Sequence, residues 1–154
     1  MRGTSERRES AKEGKWKTMS GGEFDPLSRR VIGAAIEVHR RLGPGFREEI
    51  YETALCMELA KRDIPCRRQV TFPVRYDGRL LGDHTLDLVV DQMIVVELKA
   101  VIALADVHVA QVTAYLRASG LQTGLLLNFG EYPLGIRRVV NHFVSPILDA
   151  VSMP

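Results

Sequence analysis

The order of elements legible in the chain, ααβββαββ, predicts an α/β domain with a mixed sheet flanked by helices. Three observations carry that expectation. Two stretches of helical apolar spacing precede any strand pattern, an Asp77-Gly78 pair joins the first two period-two runs, and a helix separates the third strand from two short ones. Composition agrees: 154 residues, 45% hydrophobic and 26% charged, describe one soluble globular domain. A chain of this size buries enough surface to need no disulfide or metal staple.

The first helix opens at Asp25 and Pro26, an N-cap followed by a first helical position, and Leu27, Val31, Ala34, Val38 and Leu42 recur at helical spacing. Gly43, Pro44 and Gly45 stop it. A second helix is predicted over 47–62, with Ile50, Ala54, Leu55 and Leu59 as its inner stripe and Ile64-Pro65 beyond its end. Val70, Phe72, Val74 and Tyr76 alternate with polar partners, and Asp-Gly then favours a two-residue hairpin into a strand over 80–90. A third strand over 94–100, a helix over 106–118 ending at Gly120, and strands over 125–129 and 136–141 complete the order. Residues 25–150 are thus the expected domain. No internal repeat is present.

The first 24 residues are polar and aperiodic and read as a disordered tail. Within residues 1–21, six basic residues outnumber three acids, a net of +3, which leaves 15 bases against 16 acids, a net of −1, for the remainder. A body so close to neutral excludes nucleic-acid binding by bulk charge, so any such binding must use local patches. Cys56 and Cys66 cannot make a four-thiolate site and read as a reduced pair. No apolar run approaches the ~20 residues of a membrane span, and the N-terminus lacks a secretory or transit pattern, so the expected location is cytoplasmic.

Chemistry emerges when the second hairpin is put in register. Burying Leu86, Leu88 and Val90 together with Ile94, Val96 and Leu98 requires 90 opposite 94, 88 opposite 96 and 86 opposite 98, with Asp91, Gln92 and Met93 as the loop. The other face then carries Asp87 opposite Glu97 and Thr85 opposite Lys99, with opposed Cβ atoms about 5 Å apart. Two like charges so placed are costly unless one carboxylate is protonated, Lys99 neutralises the pair, or a cation sits between them. A divalent cation answers most directly, and oxygen ligands of this kind suit Mg²⁺ or Mn²⁺.

Asp87, followed by Glu97, Leu98 and Lys99, resembles the PD-(D/E)xK nuclease signature of an Asp on one strand and Glu-x-Lys on the next. Upstream, Gly45, Glu48 and Tyr51 spell Gly-x-x-Glu-x-x-Tyr, which is similar to the hallmark of the GxxExxY proteins, a small bacterial and archaeal branch of that superfamily. Gln111 and Tyr115, Leu127-Asn128-Phe129-Gly130 and Ile136-Arg137-Arg138 extend the resemblance over about 27–141. It implies a restriction-endonuclease-like α/β/α core and a Mg²⁺-dependent phosphodiesterase acting on DNA or RNA. In such a site Asp87 and Glu97 would be the main metal ligands, with the Leu98 carbonyl a third and Glu48 a helix-borne acid reaching the metal directly or through water. Lys99 would orient the attacking water and stabilise transition-state charge, and Gln111 would position a phosphate or that water. The leading Pro of the signature is absent, since Leu86 precedes Asp87.

Plainer readings accompany each of these. A strand ending Glu-x-Lys is by itself a common solvated face, and register plus the upstream motif is what argues otherwise. Tyr51 reads as a buried ring whose hydroxyl finds a partner, with Glu48 or Lys99 as candidates. His108 shares a helical face with Leu104, Gln111 and Tyr115 and reads as the cap of a polar cluster rather than a base, while His39, His84 and His142 read as structural. Asp83 lies too far upstream for the same metal. Three doublets, Arg40-Arg41, Arg67-Arg68 and Arg137-Arg138, are the candidates for gripping phosphate. With aromatics at 6%, no base-stacking platform is visible. The other readings are a non-catalytic module that keeps the fold for binding protein or nucleic acid, and a hydrolase of small phosphate compounds. Oligomeric state stays open, because the apolar segment from Val144 to Val151 reads equally as a homodimer docking segment or as the last turn of the core.

Overall fold

The computed structural model describes residues 25–142. The expected tail, residues 143–150 of the expected domain and the apolar segment from Val144 to Val151 lie outside the described residues. Helices α1 (Pro26–Leu42) and α2 (Glu48–Lys61) lead into strands β1 (Cys66–Tyr76), β2 (Arg79–Val90) and β3 (Ile94–Lys99). Helix α3 (Asp106–Ser119) then precedes β4 (Thr123–Asn128) and β5 (Gly135–Val140), the order ααβββαββ. Among the described residues no helix is long and apolar enough to cross a membrane.

Local chemistry sets the boundaries. The Asp25 carboxylate accepts the Ser28 N–H at 2.8 Å and the Ser28 hydroxyl at 2.7 Å, satisfying donors that the first turn of α1 leaves orphaned. Asp77 and Gly78, at φ 47° and 72°, give the hairpin turn whose twist suits paired strands. Asp91 and Gln92 are also left-handed, at φ 50° and 55°, and close the predicted three-residue loop with Met93 donating its N–H to the Val90 carbonyl at 3.0 Å.

The five strands lie in the order β1-β2-β3-β4-β5. Only β3 and β4 run parallel, which requires the α3 crossover. Helices α1 and α2 cover one face, where Val31, Ile32, Leu55 and Leu59 meet Leu88, Val96, Leu98 and Leu127. On the other face Val112 and Leu116 of α3 meet Phe72, Leu86, Val95 and Leu126. Each fully buried aliphatic chain contributes about 1.5–3 kcal/mol relative to exposure, so both layers are needed to hold the sheet.

Three side chains depart from the sequence reading. Ile50, expected on the inner stripe of α2, is 42% exposed, while Tyr51 is buried as expected, at 0%, and departs only in the partners of its hydroxyl. The Tyr51 ring stacks on Phe129 with centroids 4.6 Å apart. Its hydroxyl engages neither Glu48 nor Lys99: it donates to the Gly43 carbonyl at 2.6 Å and accepts the Phe46 N–H at 3.0 Å, pinning the turn between the first two helices. Tyr51→Phe strands both groups, so it should cost about 1–3 kcal/mol, read as a lower urea midpoint with an unchanged m-value. Leu86 is the third departure. It packs with Phe72, Val112 and Leu116 on the α3 side, not with Leu88 and Val90.

Candidate active site

The ladder between β2 and β3 pairs Val90 with Ile94, Val89 with Val95 and Leu88 with Val96, and goes no further. Beyond it, side chains replace the backbone partners. The Asp87 N–H donates to Glu97 Oε1 at 3.2 Å, and the Leu98 N–H donates to Asp87 Oδ2 at 3.0 Å. Asp87 and Glu97 therefore face each other as the register predicted, although Leu86 does not continue the pairing to Leu98. Such reciprocal bonds satisfy N–H groups that diverging strands would leave unpaired.

Glu97 is buried at 7% exposure, on a strand paired on its other side with Leu126 of β4. Burial first, and then the negative charge of Asp87, push its carboxyl up to about 8, while the Lys99 ammonium pulls it partly back. Burial and the Asp87 charge thus favour a proton on Glu97, one of the three ways of relieving like charges in contact. Tyr115 approaches from α3. Its hydroxyl is raised by burial and then by the charges of Glu97 and Asp87, and its ring stacks on His84 at 3.9 Å between centroids.

Lys99 is half-buried at the end of β3, in register with Asn128 at the end of β4. The segment after Lys99 is stitched to β4. Asn128, wholly buried, donates from Nδ2 to the Val101 carbonyl at 2.9 Å and to Glu131 Oε1 at 2.8 Å, while its Oδ1 accepts the N–H groups of Val101 at 3.0 Å and Gly130 at 3.1 Å. Glu131 Oε1 also accepts the Leu104 N–H at 3.0 Å, and the Phe129 N–H donates to the Lys99 carbonyl at 2.8 Å. Sequence reasoning gave Asn128 and Glu131 no role; the only signal was Asn-Phe-Gly directly after an apolar strand. Gly130 is there because a Cβ at that position would lie 2.2 Å from the Val101 carbonyl oxygen. Gly130→Ala should push the segment after Lys99 aside at a cost of about 1–3 kcal/mol, read as a lowered Tm.

The outer candidates stand apart from this pair. Glu48 is exposed in the first turn of α2, and its carboxylate makes no hydrogen bond or ion pair among the described residues. Glu52, one turn on along the same helix face, is buried and accepts the Gln69 amide at 3.0 and 3.3 Å and Arg68 Nε at 3.3 Å. Gln69 lies between the Arg68–Leu88 and Val70–Leu86 pairs, beside Asp87 on the neighbouring strand. Glu52 thus ties α2 to β1 at Gln69, and Glu48 stands one helical turn before it on α2. Gln111 is exposed on α3, one turn before Tyr115. Among the described residues no three His, Cys, Asp or Glu side chains gather as a metal-binding group.

His108 caps α3, accepting the Ala105 N–H on Nδ1 at 3.0 Å. His39 is buried against Phe129 and Tyr132, and His84 lies on Phe72 and Tyr115. The arginine doublets are engaged within the protein: Arg40 with Glu37 at 2.7 Å, Arg41 with Glu58 at 3.6 Å, Arg68 with Glu52, and Arg138 with Asp25 at 3.9 Å. Cys56 and Cys66 are free, with sulfurs 3.6 Å apart, and burial followed by the Cys66 hydrogen bond raises the Cys56 thiol to about 12.

Comparison with known proteins follows the same geometry. No curated protein and no solved structure matches the chain. Residues 25–139, from the cap of α1 through most of β5, match the PD-(D/E)XK nuclease superfamily. That span carries the facing Asp87 and Glu97-Leu98-Lys99 on adjacent strands of a mixed sheet, and on it the chain belongs to the PD-(D/E)XK nuclease superfamily.

Proposed function

We propose that the protein is a divalent-metal-dependent nuclease of the GxxExxY branch, hydrolysing phosphodiester bonds in DNA or RNA. One observation carries the reading: Asp87 and Glu97 are held in contact, with Glu97 largely buried and Lys99 two residues beyond it. The donor set fits a hard cation, because the repulsion now relieved by a proton on Glu97 is relieved equally by Mg²⁺ or Mn²⁺. Asp87 and Glu97 would hold the ion with the Leu98 carbonyl, and Glu48 would reach it from the first turn of α2. Bound there, the ion supplies a hydroxide-like water at neutral pH and charge on the phosphate.

The chain's own residues do the rest. Asp87 keeps its carboxylate fixed through the Leu98 N–H, so the metal site needs little reorganisation. The Lys99 ammonium orients the attacking water and offsets charge on the phosphorane-like transition state. Stitching by Asn128 and Glu131 fixes the segment that follows Lys99. Gln111, exposed one turn from Tyr115, positions the phosphate or the water from the α3 side.

Calorimetric titration of Mg²⁺ and Mn²⁺ into wild type and Asp87→Ala, with pooled DNA and RNA cleavage on the same samples, tests the reading. Binding that vanishes in the variant, together with metal-dependent cutting, is expected. A second reading rests on the self-sufficiency of the pair, which a proton and two backbone N–H groups already satisfy. If neither metal binds, the fold serves as a non-catalytic binding module.

A further inference from the structure

Strands β1 and β2 both change faces at one level. In an uninterrupted strand, even-numbered residues share a side. Yet Cys66, Leu88 and Val90 pack on the α1 and α2 side, while Val70, Phe72 and Leu86 pack on the α3 side. The exchange falls between the Arg68–Leu88 and Val70–Leu86 pairs, where Gln69 and Asp87 sit side by side. Gln69 is left-handed there, at φ 49°, a conformation that disfavours every residue with a Cβ. Its amide is tied to both oxygens of Glu52, which is 6% exposed and fixed on α2.

We infer that Glu52 and Gln69 are positioning residues for Asp87: the buried Glu52 carboxylate holds Gln69 left-handed, and the resulting half-turn takes Asp87 out of the ladder, so that its N–H is free to bond Glu97 and its carboxylate is fixed on the Leu98 N–H. The inference rests on the reading of Asp87 and Glu97 as a metal-holding pair. Without the anchor, Gln69 relaxes to extended backbone and β1 and β2 regain regular alternation; Asp87 stays on the face of Glu97 but loses the bonds that its N–H makes to Glu97 and its carboxylate makes to the Leu98 N–H. A glycine at 69 needs no such anchor, because it takes positive φ without steric cost.

That difference separates positioning from mere support of the fold. Glu52→Ala should weaken Mn²⁺ binding about tenfold by calorimetry, the factor expected from one lost element of backbone strain compensation. Adding Gln69→Gly to Glu52→Ala should recover most of the loss, which a Glu52 that only supported α2 would not allow. In parallel, the Asp87 and Leu98 N–H resonances of the metal-free protein should lose their hydrogen-bonded shifts in Glu52→Ala and regain them in the double variant. Mn²⁺ affinity of Glu52→Ala equal to wild type, or a double variant as weak as the single one, overturns the inference. Should wild type bind no Mn²⁺, the metal reading fails and the two N–H resonances alone decide: movement and recovery sustain the positioning role, and unmoved resonances overturn it. If Glu52→Ala does not fold, Glu52→Gln, which keeps the volume and weakens the acceptor, carries the same comparison.

Discussion

Lys99→Ala should lower single-turnover cleavage by about 10²–10³-fold, the usual effect of removing one preorganised charge at a developing oxyanion, while Mn²⁺ affinity stays within a few fold of wild type. Asp87→Ala should abolish both. The split follows from geometry: Lys99 makes no bond to either carboxylate that holds the pair together, whereas the Asp87 carboxylate, which alanine removes, accepts the Leu98 N–H and on the proposed reading would give the metal an oxygen. Removing Asp87 also removes one cause of the raised Glu97 carboxyl, so Glu97 ionises more readily but stands alone. Rapid-quench cleavage and calorimetry on the same preparations read both effects. Cutting by Lys99→Ala at the wild-type rate would refute the role given to Lys99.

The course of the chain was legible because its punctuation is chemical. Asp25-Pro26, Gly43-Pro44-Gly45, Asp77-Gly78 and Gly120 each impose a backbone state that few other residues tolerate, and each stands at an element boundary. The opposition of Asp87 and Glu97 was legible from parity alone, since burying Leu88, Val90, Ile94 and Val96 together admits one register. Parity failed four residues from the turn. A left-handed Gln69 has no sequence signature, because its cost is met by a carboxylate seventeen residues upstream, and so Leu86 was read on the wrong face. Tyr51 misled for a similar reason: its partners are backbone groups of a turn, which composition does not advertise. Asn128 and Glu131 join segments 27 residues away, and non-local bonds of that kind leave no periodic trace.

The metal-free protein should lose stability as pH rises from about 4.5 to about 8, the window between the ordinary Glu carboxyl and the raised Glu97 carboxyl. Below that window both folded and unfolded Glu97 are protonated; within it the folded state keeps a proton the unfolded chain has released, so deprotonation favours unfolding; above it both are ionised and the slope ends. Mn²⁺ affinity should run the opposite way, strengthening by up to about tenfold per pH unit below 8 because the ion displaces that proton. The two slopes cross in one experiment. Tm measured at pH 5.5, 7 and 8.5 should fall with pH without metal, and the rise on adding Mn²⁺ should be largest at pH 8.5. Glu97→Gln, which keeps the shape and abolishes the titration, should flatten the metal-free slope and remove the metal-induced rise. An unchanged slope in Glu97→Gln would mean that some other group titrates, and the proton on Glu97 could not be what holds the two carboxylates together.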